Sequence, residues 1–215
     1  DTQKEIKGII PVDFAGRMVD LEAFRKLADE FDCWIIEDAC HAPGAYFKNS
    51  HGETINAGCG KYADLAIFSF HPVKHIAAGE GGMITTNDKG LYEKLMMLRT
   101  HGITKDQASF QNTLEFAIGQ SPTANRQPPT ANRQYPSWYM EMQDLGFNYR
   151  ITDFQAALGL SQLERAEKGL ERRREIAETY FKAFKDLDFI KGQSGKIEGH
   201  AYHLYVIEVE NRLGL

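Results

Sequence analysis

Four short apolar runs limit what this chain can fold into. They are Ile6-Lys-Gly-Ile-Ile-Pro-Val12, Cys33-Trp-Ile-Ile36, Leu65-Ala-Ile-Phe-Ser-Phe70 and Met83-Ile-Thr-Thr86. Each is rich in β-branched or aromatic residues and bounded by turn formers, which reads as a buried strand. Helical patterns lie between and after them. Asp20 is placed to N-cap a helix through Phe31, with Leu21, Phe24, Leu27, Ala28 and Phe31 on one face. A second helix is expected from about Lys89 to Arg99, with Leu91, Leu95 and Leu98 as its stripe. Strands alternating with helices imply an α/β sandwich with a largely parallel sheet. With 215 residues, 42% of them hydrophobic, the chain can bury one sizeable core.

The rest of the pattern is less regular. Gly44 to Gly60 reads as a connection, and Gly79-Glu-Gly-Gly82 as a tight entry to a strand. From about Asp106 to Trp138 the periodicity dissolves. Within it Pro122-Thr-Ala-Asn-Arg-Gln127 recurs as Pro129-Thr-Ala-Asn-Arg-Gln134. We expect a mobile surface insertion over residues 107–136, since a single proline-containing duplication is too short for a solenoid. Thr152-Asp-Phe-Gln155 has the form of a capping box opening a long helix, and Gly169 is a candidate bend in it. Arg172-Arg-Arg174, flanked by Glu171 and Glu175, reads as a solvated face. Ala201 to Val209 reads as a strand of a second, smaller domain. The expected organisation is therefore a large domain over 1–150, followed by a long helix and the start of a small domain over 151–215. Strand-like runs close to both termini give the chain the look of a fragment.

A net charge of −5 gives no reason to expect nucleic acid or a membrane surface as partner. No apolar run approaches the roughly 18 residues of a membrane span. Cys33, Cys40 and Cys59 form an odd, sparse set, which points to a reducing compartment and a cytoplasmic location. With His41 and His51 they match no common zinc spacing, so no metal site is expected.

The chemistry concentrates after two of the strands. Asp38 ends the run Trp34-Ile-Ile-Glu-Asp38, and Lys74 follows Ser69-Phe-His-Pro-Val at the end of the next. Ligands of α/β sheets gather at the carboxyl ends of strands. An acid and a lysine there suit pyridoxal phosphate (PLP) chemistry. The lysine amine forms a Schiff base with the cofactor, and the carboxylate keeps the pyridine nitrogen cationic. The Ser69 hydroxyl can hydrogen-bond a phosphate oxygen, and His71 can move protons. Each residue also has a plainer use: a loop or capping aspartate, a surface lysine, a serine bonded to backbone, a packed histidine.

Four segments together resemble the DegT/DnrJ/EryC1/StrS family of sugar aminotransferases. They are Ile36-Glu-Asp-Ala-Cys-His-Ala-Pro-Gly-Ala45, Ala63-Asp-Leu-Ala-Ile-Phe-Ser-Phe-His-Pro-Val-Lys74, Gly79-Glu-Gly-Gly-Met-Ile-Thr-Thr-Asn87 and Asn148-Tyr-Arg-Ile-Thr-Asp-Phe-Gln-Ala-Ala-Leu-Gly159. The resemblance implies a fold type I aminotransferase: a three-layer α/β sandwich with a mostly parallel sheet and a smaller C-terminal domain. It implies that Lys74 bonds PLP and Asp38 partners the pyridinium. It places His41 near the ring's 3′-hydroxyl and Ser69 on the phosphate. Asn148 would reach across a homodimer to the phosphate of the other subunit.

Two further segments, His101-Gly-Ile-Thr-Lys-Asp106 and Trp138-Tyr-Met-Glu-Met-Gln-Asp-Leu-Gly-Phe-Asn-Tyr-Arg150, resemble a subgroup of that family. Its members aminate C4 of a UDP-linked 4-keto-6-deoxy-N-acetylhexosamine in pseudaminic acid biosynthesis, with glutamate as donor. The alternatives are another nucleotide-linked ketosugar as substrate, or a non-catalytic regulatory protein of the same fold.

Overall fold

A computed structural model of the chain describes residues 6–119, 135–191, 197–210 and 212. In chain order its elements begin with β1 (Gly8–Ile9), α1 (Leu21–Glu30), β2 (Trp34–Asp38), β3 (Tyr46–Lys48) and β4 (Thr54–Asn56). There follow β5 (Leu65–Ser69), β6 (Gly82–Thr85), α2 (Lys89–Leu98), β7 (Ile103–Thr104), α3 (Leu114–Ala117) and β8 (Glu141–Met142). The chain then runs through α4 (Asp153–Leu163), α5 (Ala166–Phe184), β9 (Ile190–Lys191) and β10 (Glu208–Val209). It divides into two compact units, residues 1–88 with 151–215, and residues 89–150.

The first unit is built on a sheet in the order β1-β2-β5-β6. β1, β2 and β5 run parallel, and β6 closes the edge antiparallel to β5. This is the mostly parallel α/β sheet expected from the sequence. Asp20 caps α1 by accepting from the Ala23 N–H at 3.0 Å. The helix lays Phe24 and Ala28 against Ile9, Cys33, Ile35 and Ala63. A second cluster joins Met18, Leu21, Ala39, Ala42, Ala45, Leu170 and Ala201, so α5 and the 201 segment share a core with the loops after β1 and β2.

Register fixes the two faces of the sheet, because alternate residues of a strand point to opposite sides. Glu37 pairs with Ala66 and both are buried. Asp38 pairs with Ile67 on the other face. Ser69, two residues beyond Ile67 in β5, shares that face with Asp38.

Several local expectations change. The run from Ile6 to Val12 is strand only at Gly8–Ile9, with a separate bridge from Val12 to Asp38, since Pro11 has no N–H to donate. The Gly44–Gly60 connection contains an antiparallel hairpin of β3 and β4. Thr152 and Gln155 do form a reciprocal capping box on α4. The helix then breaks before Arg165 instead of at Gly169. The Arg165 side chain donates to the Ser161 carbonyl at 3.3 Å, satisfying an acceptor at the end of α4. Gly169 sits inside α5, its N–H bonded to the Arg165 carbonyl at 3.0 Å.

The Ala201–Val209 run is not one strand. Ala201 N–H donates to the Gly16 carbonyl at 2.8 Å and Leu204 N–H to the Ala15 carbonyl at 3.2 Å. Tyr202 takes a left-handed φ of 47°, which breaks an extended chain. Only Glu208–Val209 pairs, antiparallel with Ile190–Lys191. Arg173 and Arg174 are not a solvated face either. Arg173 donates to the carbonyls of Tyr202 and His203, and Arg174 to those of His200 and Gly44.

The second unit carries α2, α3 and the β7–β8 pair. Its anchor is Glu141, a buried carboxylate that accepts from the N–H groups of Gln111 and Asn112 and from the Tyr139 hydroxyl. Phe110, Tyr135 and Tyr139 pack ring against ring beside it. These residues fix both margins of the expected insertion. The duplicated Pro122–Gln134 segment lies outside the described residues.

Candidate active site

Asp38 ends β2 with its backbone held on both sides. Its N–H donates to the Pro11 carbonyl at 2.9 Å, and its carbonyl accepts from Asp13 N–H at 3.0 Å. Its Oδ1 accepts from the Cys40 N–H at 3.0 Å, which orients the carboxylate. In the neighbouring strand Ser69 Oγ accepts from His71 N–H at 3.3 Å. Residues 71–77 then form a loop tied at its base. Phe70 N–H donates to the Gly81 carbonyl at 2.8 Å, and Ala78 N–H to the Phe70 carbonyl at 2.9 Å. Lys74 sits in this loop, half-buried, with its own N–H on the His71 carbonyl at 2.9 Å.

Electrostatics shows that these two strand ends share one neighbourhood. His41 is pushed below the ordinary imidazole value by burial and then by the Lys74 cation, while Asp38 opposes the shift. The Cys40 thiol is pushed up to about 12, by burial first and then by Asp38. Both groups thus feel Lys74 and Asp38 together. Among the residues expected at the site, Asp38, His41 and Lys74 converge, and Ser69 lies on the same sheet face. Asn148 belongs to the other compact unit, where its backbone bridges Thr100 and its side chain is exposed. His71 lies at the loop's entrance, exposed, 3.9 Å from Glu80.

Sequence reasoning missed a histidine layer. His41 stacks on His203, ring centres 4.3 Å apart, and His203 meets His75 at 5.3 Å. Burial holds both His203 and His75 down at about 4, so these two rings are neutral at pH 7. The backbone around it is strained: Ala15 (φ 60°) and Tyr202 (φ 47°) are left-handed without being glycine. Ala15 N–H donates to His41 Nδ1 at 3.3 Å. Gly16, at φ 95°, has no room for a side chain, since a Cβ would come within 2.9 Å of the His41 carbonyl and the His203 N–H nitrogen. No local pattern signals this layer, because its members come from three distant segments.

The donor set fits PLP. The cofactor needs an amine for its aldehyde, an anion for its ring nitrogen and neutral donors for its phosphate. Lys74, Asp38 and Ser69 would supply one of each. The uncharged histidines avoid a competing cation, and His203 Nδ1 and His75 Nε2 are buried without a hydrogen-bond partner among the described residues. No group of three metal-ligating side chains occurs among the described residues. No described helix is long and apolar enough to cross a membrane.

Comparison with known proteins gives a consistent answer. The family model of the DegT/DnrJ/EryC1/StrS aminotransferases matches residues 2–214. The uncharacterized protein MJ1066 of Methanocaldococcus jannaschii is 37% identical over 93% of this chain and 45% of its own length. The UDP-4-amino-4,6-dideoxy-N-acetyl-beta-L-altrosamine transaminase of Campylobacter jejuni is 35% identical over 85% of this chain and 39% of its own length. The chain therefore spans less than half the length of these relatives. Among solved structures, Helicobacter pylori PseC, an aminotransferase of pseudaminic acid biosynthesis, superposes with a TM-score of 0.70 at 29% identity, over 96% of this chain and 46% of that one. The architecture is that of fold type I PLP aminotransferases. The chain belongs to the DegT/DnrJ/EryC1/StrS aminotransferase family, whose cofactor is pyridoxal phosphate.

Proposed function

We propose that this chain carries the central residues of a nucleotide-sugar aminotransferase. It would move an amino group from glutamate to the C4 ketone of a UDP-linked 4-keto-6-deoxy-N-acetylhexosamine. The observation that carries the reading is the convergence of Lys74 and Asp38 on His41 at the carboxyl ends of adjacent parallel strands. The substrate class is supported by the transaminase and PseC relatives.

When bound, PLP supplies an electron sink for the pair released as a Cα–H bond breaks. Lys74 would hold the cofactor between turnovers. Its freed amine would take the proton from the donor's Cα and deliver it to the cofactor carbon that carried the aldehyde, and in the second half-reaction it would carry the proton the opposite way. Asp38, its carboxylate oriented by the Cys40 N–H, would hold a proton on the ring nitrogen. The Ser69 hydroxyl would donate to the phosphate. His41, kept neutral by burial and Lys74, adds a polar edge without opposing the pyridinium charge.

The test is direct. Full-length protein loaded with PLP and given glutamate should convert to the pyridoxamine form, followed by absorbance, and then aminate one of a panel of UDP- and dTDP-linked ketosugars. Conversion by glutamate with no sugar accepted would remove the substrate assignment. No conversion by any amino donor would leave the non-catalytic alternative.

The resemblance also assigns Asn148 to the phosphate of a second copy. Asn148→Ala should then weaken PLP binding, and mixing it with Lys74→Ala should restore activity. A mixed dimer contains one site with both native residues, Lys74 from one subunit and Asn148 from the other. Activity of the mixture no higher than that of Asn148→Ala alone would place Asn148 elsewhere.

A further inference from the structure

Behind Asp38 lies a pair of acids that the proposed chemistry does not use. Asp13 is 0% exposed and Glu37 is 1% exposed. Glu37 points to the buried face of β2, where both of its oxygens accept from the Gly58 N–H, at 3.0 and 3.1 Å. Asp13 Oδ1 accepts from the Val19 N–H at 3.0 Å and so closes the loop from 13 to 19 on itself. The other oxygen, Asp13 Oδ2, is buried and meets no N–H or hydroxyl donor among the described residues. The Asp13 and Glu37 carboxyl groups lie close enough for each to act on the other. Two carboxylates so close and out of water cannot both stay ionised. A proton on Glu37 resolves both problems, because its O–H can donate to the orphaned oxygen of Asp13.

The loop so closed is the one that meets the site. Asp13 N–H holds the Asp38 carbonyl, and Ala15 N–H holds His41 Nδ1. Ala15 and Gly16 carbonyls hold the 201–204 segment that brings in His203.

We propose that Asp13 and Glu37 share one proton, and that this proton is a positioning device: it locks the 13–19 loop under Asp38 and His41, and its loss loosens the site. The lock stands on the protein alone. Its consequence for the cofactor rests on the PLP reading above.

The sign follows from burial. Burial pushes Glu37 up, to about 8, and Asp13 upward as well, the nearby Asp38 charge adding to the rise in Asp13. A carboxyl whose folded value is raised stabilises the fold fully below its unfolded value and loses that contribution as pH rises through the folded one. The window is therefore from the ordinary carboxylate range, near 4.5 for glutamate, up to about 8. The other charge acting on the pair, that of Asp38, is present in wild type and in a Glu37 variant alike and cancels in a comparison.

The experiment compares full-length wild type with Glu37→Gln and Asp13→Asn, each melted across this window without added PLP. Either amide supplies permanently the donor that the proton supplies. We expect the wild type to lose thermal stability as pH rises and both variants to lose much less. Parallel slopes in wild type and Glu37→Gln overturn the shared proton. PLP titrations then read the positioning role: wild-type affinity should fall roughly tenfold between about pH 6 and about pH 9, near the limit for partial release of one proton. Glu37→Gln should keep its affinity. A wild-type affinity that falls no more than that of Glu37→Gln overturns the positioning role. The melts give their answer even if PLP does not bind, so failure of the cofactor reading is seen separately.

Discussion

Lys74→Ala is expected to abolish both halves of the transamination and to remove the bound cofactor's visible band. The fold should survive the change. The backbone bonds that tie the 71–77 loop run from Lys74 N–H to His71, Ala78 N–H to Phe70 and Phe70 N–H to Gly81. The lysine side chain is half-buried and makes none of them. What alanine removes is the amine that bonds the cofactor and relays the proton. Positioned proton transfer is worth up to ~10⁴-fold, so glutamate turnover should fall by at least about that factor. The absorbance near ~420 nm of PLP joined to a lysine should disappear, leaving at most the spectrum of free or non-covalently held cofactor. Lys74→Arg is the control for charge: guanidinium stays protonated and cannot bond the aldehyde, so it should fail equally. Wild-type turnover in either variant would refute the assignment of Lys74.

What the sequence shows of this site follows from where each residue's partners lie. Asp38 and Lys74 were legible because each follows directly on a strand whose apolar run is visible, and such strand ends gather in a parallel sheet. Ser69 was legible for the same reason. Register adds that it shares a face with Asp38, which depends on pairing between strands and not on either strand alone.

The histidine layer was not legible. His203 reaches His41 only because the 201–204 backbone bonds to Ala15 and Gly16 and is clamped by Arg173 from α5. The same tertiary bonds explain why the β-rich run from Ala201 does not form one strand: its N–H groups are spent on a loop. Glu37 faces the core, as its alternation with Asp38 along β2 requires. Nothing local signals that its partner there is a second acid, because Asp13 lies in a loop just past the Ile6–Val12 run. Asp20 and Thr152, by contrast, act as caps within three residues of themselves, where local chemistry decides the outcome.

Asp38→Asn is expected to separate cofactor binding from catalysis. Asparagine keeps an oxygen to accept the Cys40 N–H, and the bonds of residue 38 to Pro11 and Asp13 are backbone bonds that the change leaves alone. PLP should therefore still bind through Lys74 and the phosphate contacts. What disappears is the negative charge that holds the ring nitrogen protonated, and with it the pull on the Cα–H electron pair. Loss of one fixed electrostatic group at a reacting centre costs ~10²–10³-fold, so the single-turnover rate of proton abstraction from glutamate should drop by about that much. A second readout reports whether the charge acts where the geometry puts it. Asp38 is the second cause, after burial, of the raised Cys40 thiol. Removing its charge should lower that thiol's titration and speed alkylation of Cys40 at alkaline pH, in protein otherwise unchanged in stability. Wild-type proton-abstraction rates in Asp38→Asn would end the electron-sink role for this carboxylate. Slow abstraction with unaltered Cys40 reactivity would mean that the amide had displaced the strand end, because a carboxylate held by the Cys40 N–H cannot lose its charge without the thiol beside it responding.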